Sequence, residues 1–160
     1  MKLVVFIWTF ICYSLALGQT DFDPISELNA SESKVKVIML SADWCTICRV
    51  NQSKMERRNY LKSVELNRVD FFKLEEKHSE SIVFDGKIHS FEQMGMNEGC
   101  HQLITYLMNG KVPVYPTFIF LNENNQIVES WSGFIGESEM ESVLYGILNQ
   151  IDAPDSVKSN

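Results

Sequence analysis

The feature that most constrains this chain is a pair of cysteines at the point where an apolar strand gives way to a helix. Cys45 and Cys48 are separated by two residues, and they follow the β-branched run 34–40 (KVKVIML), which predicts a buried strand. They begin a stretch to about Tyr60 whose apolar residues recur at helical spacing. Two cysteines in the first turn of a helix can lie close enough to form a disulfide.

The start of a helix also makes the two sulfurs chemically different. Unpaired backbone N–H groups and the helix dipole at this end stabilise a thiolate, which favours the ionised form of Cys45. The thiolate is the attacking species in disulfide exchange. Cys48, one turn further into the helix, is shielded and can resolve a mixed disulfide by intramolecular attack. The pattern therefore indicates thiol–disulfide exchange.

Strands and helices alternate along the rest of the chain. Asp85-Gly86 is typical of a tight hairpin because both residues tolerate positive φ. The order of elements predicts an α/β fold with a central mixed sheet. The predicted elements beyond the cysteine helix are a strand at 69–74, a hairpin of strands 82–84 and 87–89, a helix at 98–108 ending at Asn109-Gly110, a hairpin of strands 117–121 and 126–131, and a helix at 137–151.

Three segments make the chain resemble the thioredoxin superfamily. The run 42–48 (ADWCTIC) looks like its active-site loop, and 115–117 (YPT), directly before a predicted strand, is similar to its cis-proline loop. Gly133 resembles the glycine before the last helix of that family. The most similar members are bacterial periplasmic thioredoxin-like proteins, including the C-terminal domain of the transmembrane thiol:disulfide interchange reductase. The resemblance covers about 25–151.

The resemblance implies a thioredoxin-like sandwich, with a central mixed β-sheet flanked by helices and an inserted hairpin and helix before the cis-proline loop. By position, it makes Cys45 the nucleophile and Cys48 the resolving thiol of a redox-active disulfide. It implies a cis bond before Pro116, which would leave the backbone of Tyr115 free to pair with an extended substrate. Trp44 would flank the site as an apolar wall.

Some positions leave alternatives open. Pro116 could instead lie in an ordinary trans turn, and Pro113 is a nearby competitor. Met39 stands where thioredoxins commonly bury an Asp that accepts the proton of the resolving thiol. Proton transfer must then use water or another carboxylate, of which Asp43 is the nearest in sequence, although a solvated loop residue is an equally good interpretation. The intervening Thr46-Ile47 gives no basis for a reduction potential.

The insertion at 75–111 carries chemistry that the family pattern does not explain. It contains Cys100 and all three histidines of the chain, His78, His89 and His101. Cys100 and His101 could form a regulatory thiol or a metal pair. The simpler interpretation, which we favour, makes Cys100 a buried helix residue and His101 a surface residue.

The first residues predict export. Lys2 precedes the mostly apolar run 3–17, and small residues before Gly18 complete the pattern of a cleavable signal peptide. A membrane anchor is the alternative, but the run is shorter than the ~20 apolar residues that span a bilayer. We therefore expect a signal peptide at 1–18, one thioredoxin-like domain at 19–160, and a periplasmic or secreted protein.

Charge and cysteine content exclude some classes of protein. The chain has a formal net charge of −7 at pH 7 and no Lys/Arg cluster, which argues against binding nucleic acid. Loss of the signal peptide would remove Cys12 and leave an odd number of cysteines, too few for a disulfide-stapled scaffold. Export would place them where disulfides are permitted.

These observations predict an exported thiol:disulfide oxidoreductase that reduces or exchanges disulfides in other exported proteins. We expect no cofactor and no bound metal, and a separate electron donor, for which a membrane thiol reductase is one candidate. Two alternatives remain. Cys45 and Cys48 could be soft ligands for copper or zinc, although two thiolates are too few for a closed zinc site. The chain could also be a redox-inactive interaction module whose dithiol staples a loop.

Overall fold

The fold is seen in a computed structural model of the 160-residue chain, which describes residues 22–57, 60–61, 66–96 and 98–153. The predicted signal peptide, residues 1–18, lies outside the described residues. None of the described helices combines the length and the apolar character needed to cross a bilayer.

Strands and helices alternate through the described part of the chain, and short 3₁₀ helices lie at Ile25–Glu27 and Leu66–Arg68. The other elements are, in order, β1 (Val35–Ser41), α1 (Thr46–Met55), β2 (Val69–Glu75), β3 (Ile82–Phe84), β4 (Lys87–His89), β5 (Phe91–Gln93), β6 (Gly99–His101), α2 (Gln102–Leu107), β7 (Thr117–Asn122), β8 (Ile127–Ser132) and α3 (Glu137–Asp152).

A four-stranded mixed sheet is the centre of the fold, with strand order β2-β1-β7-β8. β1 pairs in parallel with β2 and antiparallel with β7, and β7 pairs antiparallel with β8. All seven residues of β1 are buried because both faces of the sheet are covered at this strand. A strand covered on both faces has no polar side, which explains its nearly continuous apolar sequence.

Alternate side chains of β1 enter two separate cores, as the period of two in a strand requires. Val37 and Met39 pack into a cluster with Met55 of α1 and with Met140 and Leu144 of α3. On the opposite face of the sheet, Ile38 and Leu40 pack against the apolar residues of α2, which are Leu103, Ile104 and Leu107. Helices α1 and α3 therefore cover one face, and α2 covers the other.

The insertion differs in part from its prediction. The hairpin of β3 and β4 is confirmed, with φ of 50° at Asp85 and 69° at Gly86. The predicted helix at 98–108 is wrong over its first residues, because Gly99–His101 forms β6 and pairs antiparallel with β5. Gly99 allows this close pairing, since a Cβ there would lie 2.7 Å from the Glu92 carbonyl oxygen. The helix is confined to Gln102–Leu107.

The remaining predicted elements are present with small differences in their ends. β1, β2, the hairpin of β7 and β8, and α3 each agree with prediction to within one or two residues. Helix α1 is shorter than predicted, because it ends at Met55 instead of about Tyr60. Tyr60 and Leu61 are instead buried in the same core as α1 and α3.

Candidate active site

Cys45 and Cys48 form a disulfide at the N-terminus of α1, with 5.3 Å between their Cα atoms. Cys45 is the N-cap residue, and the backbone N–H of Cys48 donates a hydrogen bond to its Sγ at 3.0 Å. The side chains are only 4% and 3% exposed. The sequence-based expectation that the two sulfurs can bond is therefore confirmed in geometry, and the N–H that would stabilise a Cys45 thiolate is already in position.

The loop before β7 brings a second part of the predicted site to the disulfide. The Tyr115–Pro116 peptide bond is cis, so the prediction for Pro116 is confirmed over a trans turn and over Pro113. The hydroxyl of Thr117 donates to the Val114 carbonyl oxygen at 2.8 Å. Tyr115 packs directly against the cluster formed by the two cysteines. The active-site loop and the cis-proline loop thus meet, although about seventy residues separate them in the chain.

Trp44, directly before Cys45 in the chain, is exposed, with 67% of its surface accessible. Its ring packs edge-on against that of Tyr115, with 5.9 Å between the ring centroids. The Trp44 ring thus contacts the residue of the cis-proline loop that packs against the two cysteines, and its role as an apolar wall stays a prediction.

Glu76, which the sequence analysis did not single out, also reaches this site. Its Oε2 accepts a hydrogen bond from Trp44 Nε1 at 3.3 Å. Glu76 follows β2, whose last residue Glu75 pairs with Ser41 at the end of β1. The carboxyl ends of adjacent parallel strands meet at one edge of a sheet. The sequence shows a carboxylate close behind a predicted strand. That this carboxylate lies near the active-site loop follows only once β1 and β2 are known to be parallel neighbours.

Cys100 connects the insertion to the site through Tyr115. It is buried, as expected, but lies in β6 and not in a helix. Its Sγ is 3.8 Å from the Tyr115 hydroxyl oxygen. Burial raises the pKa of the Cys100 thiol, and burial together with Cys100 and the Glu76 charge raises the pKa of Tyr115. Both groups are therefore neutral near pH 7 and act as hydrogen-bonding groups.

The expectation of a surface position for His101 is wrong. The residue is 0% exposed and caps α2, with Nδ1 accepting a hydrogen bond from Leu103 N at 3.2 Å. Nε2 therefore carries the proton and donates it to the Glu80 carbonyl oxygen at 3.0 Å. Because both ring nitrogens are engaged, a metal pair with Cys100 would lack a free imidazole donor. Among the described residues there is no group of three or more potential metal ligands.

Two positions considered for proton transfer have different surroundings. Met39 is fully buried in the core under α1 and α3, so it supplies no titratable group. Asp43 is exposed, and its carbonyl oxygen accepts a hydrogen bond from Arg49 Nη1 at 2.9 Å. Arg49 also donates to the Thr46 hydroxyl at 3.2 Å, so its guanidinium lies back along the active-site loop. A role for Asp43 in proton transfer stays a prediction.

Comparison with known proteins bears on the fold. No protein-family model matches the chain, and neither does any curated protein. A thioredoxin-fold protein from Helicobacter pylori is similar in structure, with a TM-score of 0.53 and 11% identity over 78% of this chain and 76% of that one. The short form of spinach chloroplast thioredoxin f has a TM-score of 0.52 and 16% identity over 81% and 96%.

Such a likeness, at these low identities, establishes the fold. The chain has a thioredoxin-like fold, an α/β sandwich with a central mixed sheet and helices on its two faces, as predicted. The hairpin β3–β4, the pair β5–β6 and helix α2 form the insertion before the cis-proline loop. More particularly, the chain is a thioredoxin-fold protein with a disulfide between two cysteines spaced as CxxC at the start of α1.

Proposed function

We propose that this protein is an exported thiol:disulfide oxidoreductase that acts through Cys45 and Cys48. The observation that carries the proposal is the position of the disulfide, which lies at the N-terminus of α1 and packs against Tyr115 of the cis-proline loop. A helix N-terminus favours a thiolate, and a thiolate is what disulfide exchange requires. A disulfide that only stapled a loop would need neither feature.

The chemistry is a two-step exchange. In the dithiol form, the Cys45 thiolate attacks one sulfur of a substrate disulfide, so that a mixed disulfide forms and the other substrate sulfur leaves as a thiolate. Cys48 then loses its proton and attacks Cys45 Sγ, which releases the second substrate thiol and forms the Cys45–Cys48 disulfide seen in the structure. Two electrons pass to the substrate, and a separate donor must return the protein to the dithiol.

The substrate is a disulfide in an extended polypeptide. Trp44 and Tyr115 pack against each other and supply apolar area beside the sulfurs, and aromatic side chains of this kind contribute strongly to recognition. The backbone of Tyr115, next to the cis bond before Pro116, would pair with the substrate main chain as an added strand. The partners are accordingly protein disulfides.

Export, the electron donor and the direction of reaction complete the proposal. The signal-peptide pattern of residues 1–18 supports a periplasmic or secreted protein, of the kind found in bacterial periplasms. Outside the cytoplasm the donor is a second protein, for which a membrane thiol reductase is the candidate. The thioredoxin-like fold favours reduction of substrates over oxidation.

Mixed-disulfide trapping tests the exchange step. Cys48→Ser leaves the nucleophile without its resolving partner, so we expect it to accumulate covalent adducts with a disulfide-bonded substrate such as insulin. Excess dithiothreitol should reduce the mixed disulfides and release the substrate from the adducts. Cys100→Ala in the same background is the matched control, because it removes the remaining described thiol and should leave the adducts unchanged.

Other outcomes would point to the alternatives. Adducts that persist in Cys45→Ser but disappear with Cys100→Ala would contradict the assigned nucleophile. Tight retention of copper or zinc by the reduced wild-type chain, without insulin reduction, would favour a metal-handling protein. If the chain forms no adducts and retains no metal, an interaction module becomes the better interpretation.

A further inference from the structure

Glu76 is held at the edge of the site by its own backbone. Its N–H donates to the Ser41 carbonyl oxygen at 2.8 Å, and its carbonyl oxygen accepts from His101 N–H at 2.9 Å. These bonds tie the residue between the end of β1 and strand β6 of the insertion. The carboxylate is therefore presented from a rigid position, and replacing the side chain leaves both backbone bonds intact.

The carboxylate acts directly on one aromatic wall of the site and reaches the other through it. It accepts the indole N–H of Trp44 at 3.3 Å, and the Trp44 ring packs edge-on against the Tyr115 ring, with 5.9 Å between the ring centroids. Trp44 belongs to the active-site loop and Tyr115 to the cis-proline loop. Glu76 thus supports Trp44 from a third segment of the chain, and the Trp44 ring in turn contacts Tyr115 of the cis-proline loop.

We propose that Glu76 is a positioning residue, whose carboxylate holds the Trp44 side chain against Tyr115 in the geometry that receives a polypeptide disulfide. The inference rests on the proposed function and adds a specificity determinant to it. Trp44 is largely exposed, so without a partner its side chain would sample several rotamers in solution. Ordering it before the substrate arrives lowers the entropy cost of binding.

This role predicts a difference between large and small substrates. A disulfide within a polypeptide contacts both walls, whereas a small molecule such as 2-hydroxyethyl disulfide reaches the sulfurs without needing them. Loss of the Glu76 carboxylate should therefore weaken binding of the polypeptide and leave the exchange chemistry of Cys45 unchanged.

Steady-state kinetics on the full chain test the proposal. For Glu76→Ala we expect KM for a disulfide-bonded polypeptide to rise about fivefold, the factor that corresponds to the ~1 kcal/mol net worth of one hydrogen bond. We expect kcat, and the rate with 2-hydroxyethyl disulfide, to stay close to wild type. Glu76→Gln keeps an acceptor oxygen for the indole N–H and should recover most of the affinity.

Glu75→Ala is the matched control. It removes the same charge one residue earlier, where the carboxylate pairs with Lys73 at 2.8 Å instead of with a site residue. We expect its KM to match that of wild type for both substrates. A rise equal to that of Glu76→Ala would mean that the general charge of this edge, and not the positioning of the walls, sets the affinity, and would overturn the proposal.

The donor side of the bond gives a second test. Trp44→Phe keeps an aromatic ring but lacks the N–H, so combined with Glu76→Ala it should raise KM no more than Trp44→Phe alone. Additive effects would overturn the proposal. A further test is time-resolved fluorescence anisotropy of Trp44, with Trp8 and Trp131 replaced by Phe. The fast component of the decay, which reports side-chain motion, should be larger in Glu76→Ala than in wild type, with Glu76→Gln between the two.

The two proposals fail separately. If the wild-type chain reduces neither substrate, the proposed function fails. If it reduces both and the KM of the Glu76 variants for the polypeptide equals that of wild type, the oxidoreductase assignment stands and the positioning role of Glu76 is refuted.

Discussion

Asn51 lies on the buried face of α1, one turn after Cys48, with only 1% of its surface exposed. Neither of its side-chain polar atoms, Oδ1 and Nδ2, has a hydrogen-bond partner within the part of the chain that the structure describes. A buried amide without partners loses its hydrogen bonds to water and gains none in return. Asn51 therefore costs folding free energy at a position where packing alone favours an apolar residue.

Replacing Asn51 should stabilise the protein. Leucine has a similar branched shape, so we expect Asn51→Leu to raise the free energy of unfolding by about 1–3 kcal/mol, measured by urea denaturation of the disulfide form. Ser53→Leu, on the exposed side of the same helix, serves as the control and should change stability by less than about 0.5 kcal/mol. A loss of stability in Asn51→Leu would show that the amide has a stabilising partner.

His101 should make stability depend on pH. Burial, followed by the nearby His78 and His89, lowers its pKa below the ordinary value of 6.5. The unfolded chain then binds this proton first as the pH falls. The contribution of neutral His101 is therefore complete above about pH 6.5 and is lost progressively below it, with a slope of at most about 1.4 kcal/mol per pH unit.

Urea denaturation between pH 7 and pH 5 measures this slope. His101→Asn keeps a side-chain acceptor at the N-cap of α2, and we expect a weaker decline of stability with falling pH than in wild type. His78→Asn, at a position less deeply buried, is the control and should retain most of the decline. Equal slopes in wild type and His101→Asn would contradict the assignment.

At the scale of elements, prediction succeeded where the signal was local. The strand β1, the start of α1, the Asp85-Gly86 turn and helix α3 each follow from periodicity or turn chemistry within their own residues. The pair β5–β6 was not predicted, because its strands have three residues each and show no alternation of apolar and polar side chains. Such short strands are stabilised by their pairing and by the core beneath them, which a local pattern does not contain.

The same glycine substitution should have opposite effects in two elements. Gly99→Ala would bring a Cβ to 2.7 Å from the Glu92 carbonyl oxygen, so we expect β5 and β6 to separate or shift and stability to fall by about 1–3 kcal/mol. Gly146→Ala in α3 meets nothing within 4 Å and should raise stability by about 1 kcal/mol. Urea denaturation measures both, and a neutral Gly99→Ala would contradict the packing described here.

At the scale of the whole molecule, the site is assembled from four segments that are distant in the chain. The parallel ends of β1 and β2 supply the active-site loop and Glu76, β6 supplies Cys100, and the loop before β7 supplies Tyr115 and Pro116. The disulfide is thus surrounded by residues from the core fold and from the insertion.

A redox titration of the Cys45–Cys48 couple tests the direction of the reaction. If the protein is a reductant, we expect a potential nearer the roughly −270 mV of thioredoxin than the roughly −120 mV of a strong oxidant. Cys100→Ala should leave the couple a simple two-electron system with a similar potential. A strongly oxidising value would remove the reductant assignment and leave disulfide exchange alone.

The sequence by itself determined the alternation of strands and helices, the cysteine pair at a helix start and the proline before β7, because each depends on neighbouring residues. Only the tertiary structure decided that Glu76 meets Trp44, that Cys100 meets Tyr115 and that His101 is buried. Those contacts depend on which strand ends lie side by side and how the insertion packs on the sheet. They are set by packing between segments that are distant in the chain, and the free energy of that packing cannot be inferred from any one segment alone.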